Sequence, residues 1–251
     1  MAIQCDNLTF GFGDLAVFSD FSMNFPDRHV TAVLGPSGCG KTTLLNLISG
    51  LLQPSTGRIR GMEEERISYL FQEPRLLPWM SIRKNIEIVL EPFFEGAGRR
   101  ERAIHFLELV GLQGFEDYFP PHLSGGMRQR SAVARAFAYP SHILLMDEPF
   151  QALDLHRKLS LIEQFENLWH KDRRTAIFVT HDIQEALLLG DTIVVLYGPP
   201  ASVQKSIRNP LPRVQRSLKD RRLLEVEQEL YASLVTEIEA KKGEGKGEKP
   251  L

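Results

Sequence analysis

The run Gly35-Pro36-Ser37-Gly38-Cys39-Gly40-Lys41-Thr42 constrains this chain more than any other stretch. It fits G-x-x-x-x-G-K-[S/T], a pattern that does chemistry only between a buried strand and a helix. The glycines let backbone N–H groups curl around an anion, and the next helix places its positive end behind them. The flanks comply: "HVTAVLG" is a short apolar run ending in glycine, and "KTTLLNLISGL" has helical spacing. An α/β fold organised around a phosphate-binding turn is therefore expected. Lys41 can reach β- and γ-phosphates, and the Thr42 hydroxyl is of the type that ligates Mg²⁺. Cys39, beside Lys41 and a helix start, is expected to have a lowered thiol pKa. Two readings stay open for it: a reactive thiol that nucleotide shields, or an inert small residue filling the loop.

The remaining chain supports a mainly parallel sheet. "FSMNF" alternates, with Phe21, Met23 and Phe25 on one face. "RIRG" and "RISYLFQ" read as two strands joined by the acidic turn "MEEE". From about residue 81 to 139 the pattern turns helical, with "SIRKNIEIVL", "RRERAIHFLELV" and "SGGMRQRSAVARAFAY" separated by "EGAG" and "YFPPH". Buried strands return in "HILLMDE", "TAIFVT" and "TIVVLYG". Apolar runs alternating with helices imply a mainly parallel sheet covered on both faces. An edge strand is expected after Pro200, then a last helix, "LLEVEQELYASLVTEIEA". The domain is expected over 1–240, with the helical segment inserted in it and a polar, flexible tail at 241–251.

Bulk properties exclude several classes. A formal charge of −2 and a pI near 6.4 argue against a nucleic-acid footprint. Two cysteines make no disulfide framework, so a reducing compartment is expected. "MAIQCDNLTF" lacks the pattern of a signal peptide. No stretch approaches the roughly 20 apolar residues needed to span a bilayer. The basic stretch "RNPLPRVQRSLKDRR" reads most simply as a solvated surface.

"ILLMDEP" ends a buried run in two acids. Asp147 suits a Mg²⁺ shell, which needs only one or two carboxylates besides phosphate and water. Glu148 is then free to deprotonate an attacking water. Taken alone, the pair would be two solvated acids capping a strand. His181 ends "TAIFVTH" and could hold a γ-phosphate or a water, or merely cap a helix. Gln72 closes "ISYLFQ", as an oxygen ligand or a loop amide. Phe12 in "FGFG" is an adenine-stacking ring or a core aromatic. "LSGGMRQR" (123–130) offers a second anion site: Ser124 can cap the helix, and Gly125 and Gly126 let its N–H groups approach an anion.

In this order, Phe12, "GPSGCGKTT", Gln72, "LSGGMRQR", "ILLMDEP", "ALD" (152–154) and His181 resemble the nucleotide-binding domain of ABC ATPases over about residues 2–205. The resemblance implies a P-loop NTPase fold with a small antiparallel N-terminal subdomain and a helical subdomain. It implies an ATP site made of Phe12, residues 35–42 and Thr43, with Mg²⁺ on Thr42, Gln72 and Asp147. Glu148 is implied as general base and His181 as the switch histidine. In that family two domains pair head to tail, so Ser124, Gly125, Gly126 and Asp154 would meet the partner's nucleotide. That answers why one chain carries two anion sites. Met127 stands where the family commonly has glutamine, and phenylalanine at position 12 where tyrosine is commoner.

A single cassette without fused membrane helices or a long coiled coil resembles the separate ATPase subunit of a bacterial importer. "FQEPRLLPWMSIRKNI" and "DEPFQALD" resemble the nitrate, sulfonate, taurine and thiamine-precursor group. The implied partners are a second, identical subunit, membrane permease subunits and, indirectly, a periplasmic or lipid-anchored binding protein. The implied location is the cytoplasmic face of the cell membrane. Residues 73–95 would line the groove for a permease helix, the alternative for Leu76, Leu77, Pro78 and Trp79 being local core packing. The short stretch from Gly57 to Gln72 suggests a trimmed early hairpin. Two other readings are an ABC ATPase driving export or lipoprotein release, and a non-hydrolysing ATP clamp. The presence of both Glu148 and His181 counts against the clamp.

Overall fold

The computed structural model describes residues 2–63, 65–151 and 155–244, with 155–157 and 236–244 described by backbone alone. In chain order the elements are β1 (Ile3–Phe12), β2 (Leu15–Phe25), β3 (Val30–Leu34), α1 (Lys41–Ile48), β4 (Thr56–Arg60), β5 (Ile67–Leu70), α2 (Ile82–Leu90), α3 (Gly96–Leu109), α4 (Gly125–Ala138), β6 (Ile143–Asp147), α5 (Leu155–Lys171), β7 (Thr175–Thr180), α6 (Ile183–Leu189), β8 (Thr192–Tyr197), β9 (Ser202–Arg208) and α7 (Arg221–Glu244). The strands form a small antiparallel sheet and a mixed, mainly parallel one. Strands β3, β6 and β7 are buried along their whole length, as expected where helices cover both faces of a sheet.

The chain divides into two compact units. The first comprises Met1–Pro26, Val30–Gly61 and Ile177–Leu251. Its antiparallel sheet has the order β2-β1-β4. Along β2, Val17, Phe18, Phe21 and Phe25 are buried while Ser19, Asp20, Ser22 and Asn24 are exposed, the alternation expected of a half-buried strand. In the same unit β3 runs parallel to β8, pairing Leu34 with Val195, and β9 lies antiparallel on β8. Helix α1 buries Leu44, Leu45, Leu47 and Ile48, and α7 packs on α6.

The second unit comprises Asp27–His29 and Met62–Ala176. Strand β5 runs parallel to β6, pairing Leu70 with Met146. Ser81 caps α2 by accepting from Lys84 N. Asn85, fully buried, closes the preceding loop through the Leu77 amide and the Leu77, Met80 and Ser81 carbonyls. Helix α4 buries its face of Ala132, Val133, Ala136 and Phe137, with Phe137 set edge-on to Phe165 at 5.4 Å. Its carboxyl end is held by Arg174, only 3% exposed, which donates to the carbonyls of Phe137 (2.8 Å) and Tyr139 (2.8 Å) and to Ser141 Oγ (2.9 Å). Arg102 of α3 adds a bond to the Ala138 carbonyl at 2.9 Å. Two guanidiniums thus satisfy the carbonyls that a helix end leaves unpaired.

The strand readings hold, and two other expectations are corrected. The segments "RIRG" and "RISYLFQ" are both strands as expected, β4 joining β1 in the antiparallel sheet and β5 joining β6. In β5 it is Ser68 and Leu70 that are buried, with Ser68 Oγ donating to the Ala136 carbonyl at 2.8 Å. The basic stretch is more than a solvated surface. Arg213 and Arg216 both pair with Asp191, at 2.8 and 2.7 Å, and Arg216 reaches the carbonyls of Leu188 and Leu211. Asp191 also accepts the Val30 amide at 3.0 Å, so this latch fastens residues 209–216 to the start of β3 and β8. The last helix runs to Glu244, past the boundary at 240 read from composition.

Candidate active site

Four of the candidate sites follow or close the carboxyl end of a strand. The phosphate loop follows β3, Gln72 follows β5, Asp147 closes β6 and His181 follows β7. In open α/β sheets ligands bind beyond that edge.

In the first unit the phosphate loop is packed tightly from behind. A Cβ on Gly35 would lie 2.4 Å from the Leu196 carbonyl oxygen and 2.8 Å from Cys39 Sγ, so only glycine lets β8 and the loop approach. Gly40 caps α1 with φ of 102° and lies against Val17 and Phe18 of β2. Ser37 and Gly38 are exposed at the tip, while Gly35, Cys39 and Gly40 are buried. Lys41 is 5% exposed and its Nζ donates to the carbonyls of Gly35 (2.8 Å) and Pro36 (2.9 Å). The ammonium is held over the loop by two of its three hydrogens. Thr42 is exposed and Thr43 half-buried at the helix start.

Cys39 corrects the expectation of an activated thiol. It is fully buried, and burial pushes its pKa up, outweighing the opposing pull of Lys41. The thiolate is penalised where no water reaches it, so the residue is a packing element beneath the loop.

Also in this unit, Phe12 sits near the β1–β2 turn with half its surface exposed, edge-on to Phe10 at 5.0 Å. It is therefore not a core aromatic. His181 is exposed, between two fixed neighbours. Thr180 Oγ1 donates to buried Glu185 at 2.6 Å and accepts the Asp182 amide at 3.0 Å. Asp182 caps α6 through the amides of Gln184 and Glu185.

The second unit carries the other candidates. Asp147 is 5% exposed at the end of β6, and its charge, after burial, raises the phenol pKa of nearby Tyr69. Glu148 is half-buried with φ of 43°, a left-handed conformation that costs a non-glycine residue on the order of 1 kcal/mol. The chain thus turns at Glu148, as a strand end bearing two acids requires. The turn is closed by Gln151 N donating to the Glu148 carbonyl at 3.1 Å. The side chain of Gln72 donates to Gln151 Oε1, joining the loops after β5 and β6. Ser124 caps α4 by accepting the Met127 amide at 3.3 Å, and Ser124 and Gly125 are exposed. Arg128 donates to the Leu123 carbonyl at 2.6 Å and firms the turn before the helix. Asp154 lies outside the described residues.

Three residues escaped the sequence reading: Gln151, Arg174 and buried Gln129, whose Nε2 donates to the Pro149 carbonyl at 2.6 Å. Each acts through a backbone carbonyl or another amide far along the chain, and spacing alone carries no such signal. Among the described residues no helix is long and apolar enough to cross a membrane.

Comparison with known proteins agrees with this arrangement. A family model described as ABC transporter matches residues 18–151. The aliphatic sulfonates import ATP-binding protein SsuB 1 of Mesorhizobium japonicum is 41% identical over 216 residues, covering 84% of this chain and 82% of that one. The nitrate import ATP-binding protein NrtC of Synechococcus elongatus is 39% identical over 220 residues, 83% of this chain and 33% of that longer one. An ATP-binding cassette solved as a dimer in a post-hydrolysis state, with ADP and Pi bound, is 28% identical with a TM-score of 0.73, covering 84% of this chain and all of that one. With the phosphate loop, the strand-end acids and the LSGG helix already in place, the chain belongs to the ABC transporter family as an ATP-binding subunit that hydrolyses ATP to ADP and phosphate.

Proposed function

We propose that this chain powers solute import as one of two identical ATPase subunits on the cytoplasmic face of a bacterial cell membrane. Its substrates' group would be nitrate, sulfonate, taurine or a thiamine precursor, in line with the importers it resembles. One observation carries the dimer: the chain has its own complete phosphate loop, yet the capped start of α4 presents Ser124 and Gly125 to solvent. A helix start made of glycine and exposed at Ser124 and Gly125 suits an anion that another copy brings. Asp154 would complete the contact across the pair.

Within each site, Phe12 would stack on adenine, and residues 35–43 would hold the phosphates through Lys41 and the loop amides. The donor set of Thr42, Gln72 and Asp147 is all oxygen, which fits Mg²⁺. Bound there, the ion would draw charge from the γ-phosphate. Glu148 would take the proton of the attacking water while His181 steadies the γ-phosphate. ATP favours the closed pair and ADP does not, so hydrolysis opens it.

The permease contact is supported by a groove of about 450 Å³ lined by Pro74, Leu76, Pro78, Pro120 and Pro121, with Glu73, Arg75 and Arg128 at its polar margin. Trp79 is 69% exposed, against its being core packing. A solute-binding protein would act only through the permease, and nucleic acid has no part. Steady-state phosphate release tests the activity. Wild type should exceed Lys41→Ala by about 100-fold or more, as removing one charge-stabilising donor does. Equal rates would favour the non-hydrolysing clamp.

A further inference from the structure

Helix α4 is bonded to both loops that carry candidate catalytic side chains in its own unit. Near its start, buried Gln129 donates Nε2–H to the Pro149 carbonyl at 2.6 Å, one residue past Glu148. One turn and a half later, Arg135 donates to the carbonyls of Pro74 (2.8 Å) and Arg75 (2.9 Å), just past Gln72. The two loops are themselves joined by the Gln72–Gln151 amide bond, and Gln151 N closes the turn on the Glu148 carbonyl. The circuit is therefore closed: α4, the Glu148 turn, the Gln72 loop, and α4 again.

Glu148 needs such support. Its φ of 43° is unfavourable for a side-chain-bearing residue and persists only where neighbours over-determine it. The Gln151 amide fixes the turn from one side and Gln129 from the other. Both Gln129 and Pro149 are buried, so water cannot replace the lost bond at low cost.

We propose that Gln129 is a positioning residue for Glu148: it transmits the seating of α4 on the partner's nucleotide to the base in its own unit. The inference rests on the assignment of Glu148 as base and of Ser124 as a contact across the dimer. It predicts a separation of effects. Loss of the Gln129 bond moves Glu148 but leaves Ser124, Gly125 and Gly126 as they are. A residue that merely supported α4 would weaken ATP-driven pairing as well.

The test compares Gln129→Met, of similar length without the donor, with wild type for turnover, and compares the same substitution with its parent in a Glu148→Gln background for pairing. Turnover should fall about 10-fold or more, since a misplacement near 1 Å can cost 100-fold. The KM for ATP should stay within about 2-fold, and so should the Mg-ATP concentration that half-saturates pairing by light scattering. A Ser124→Ala control should weaken pairing. Should the methionine variant fail to fold, Gln129→Glu takes its place, keeping the shape while turning the donor into an acceptor. Unchanged turnover, or pairing weakened in proportion to turnover, would overturn the proposal. Wild-type turnover by Glu148→Gln alone would overturn the assignment of the base and this role with it. Normal turnover by Gln129→Met beside an inactive Glu148→Gln overturns the positioning role only.

Discussion

Gly35 admits no side chain, because the Leu196 carbonyl occupies the place where a Cβ would stand. Gly35→Ala should therefore displace the loop from β8 and reduce ATP affinity about 10-fold or more, measurable with a fluorescent nucleotide. Unchanged affinity would show that the loop can shift without cost. At Cys39 the prediction is the opposite of the one its motif suggests. Alkylation of the folded protein should be slow and the same with and without ATP, because the thiol lies under the loop and is held protonated. ATP-dependent protection, read by mass spectrometry, would restore the activated thiol. The placement of Lys41 at a helix start and of Asp147 and Glu148 at a strand end was legible from residue type and order. The depth of Cys39 was not, since a motif gives neighbours along the chain but not the strand packed behind it.

At the scale of elements, the latch between Asp191 and residues 209–216 is open to test by stability. Burial alone would raise the Asp191 pKa, but Arg213, the Val30 amide and Arg216 hold it below the ordinary carboxylate range. The group is thus more acidic folded than unfolded. It contributes stability in full above its unfolded pKa, and that contribution is lost as pH falls through the folded value. Asp191→Asn should cost about 2 kcal/mol in urea unfolding at pH 7, and the gap to wild type should close in strong acid. A gap independent of pH would mean that the carboxylate charge contributes nothing. Helices and strands were legible by period: α2, α3 and α4 fall on the three helical runs, and β6, β7 and β8 on the buried ones. What spacing missed was partnership. Both segments around the acidic turn read as strands, but nothing in their spacing says that one pairs with β1 and the other with β6. Arg174 was missed for the same reason, since its partners lie 33 to 38 residues earlier.

For the molecule as a whole, each unit carries part of the candidate set. The phosphate loop, Phe12 and His181 belong to the first, and Gln72, Asp147, Glu148 and the LSGG helix to the second. The order of these motifs identified the family, but their distribution between two units was not visible in it. The account turns on completion of each site by a second copy, and the most direct measurement is the mass of Glu148→Gln in saturating Mg-ATP by light scattering. That variant should bind ATP without hydrolysing it and hold its chains in pairs, doubling the 28.5 kDa monomer mass, while ADP should leave single chains. A nucleotide-loaded Glu148→Gln that stays at the monomer mass would contradict the account.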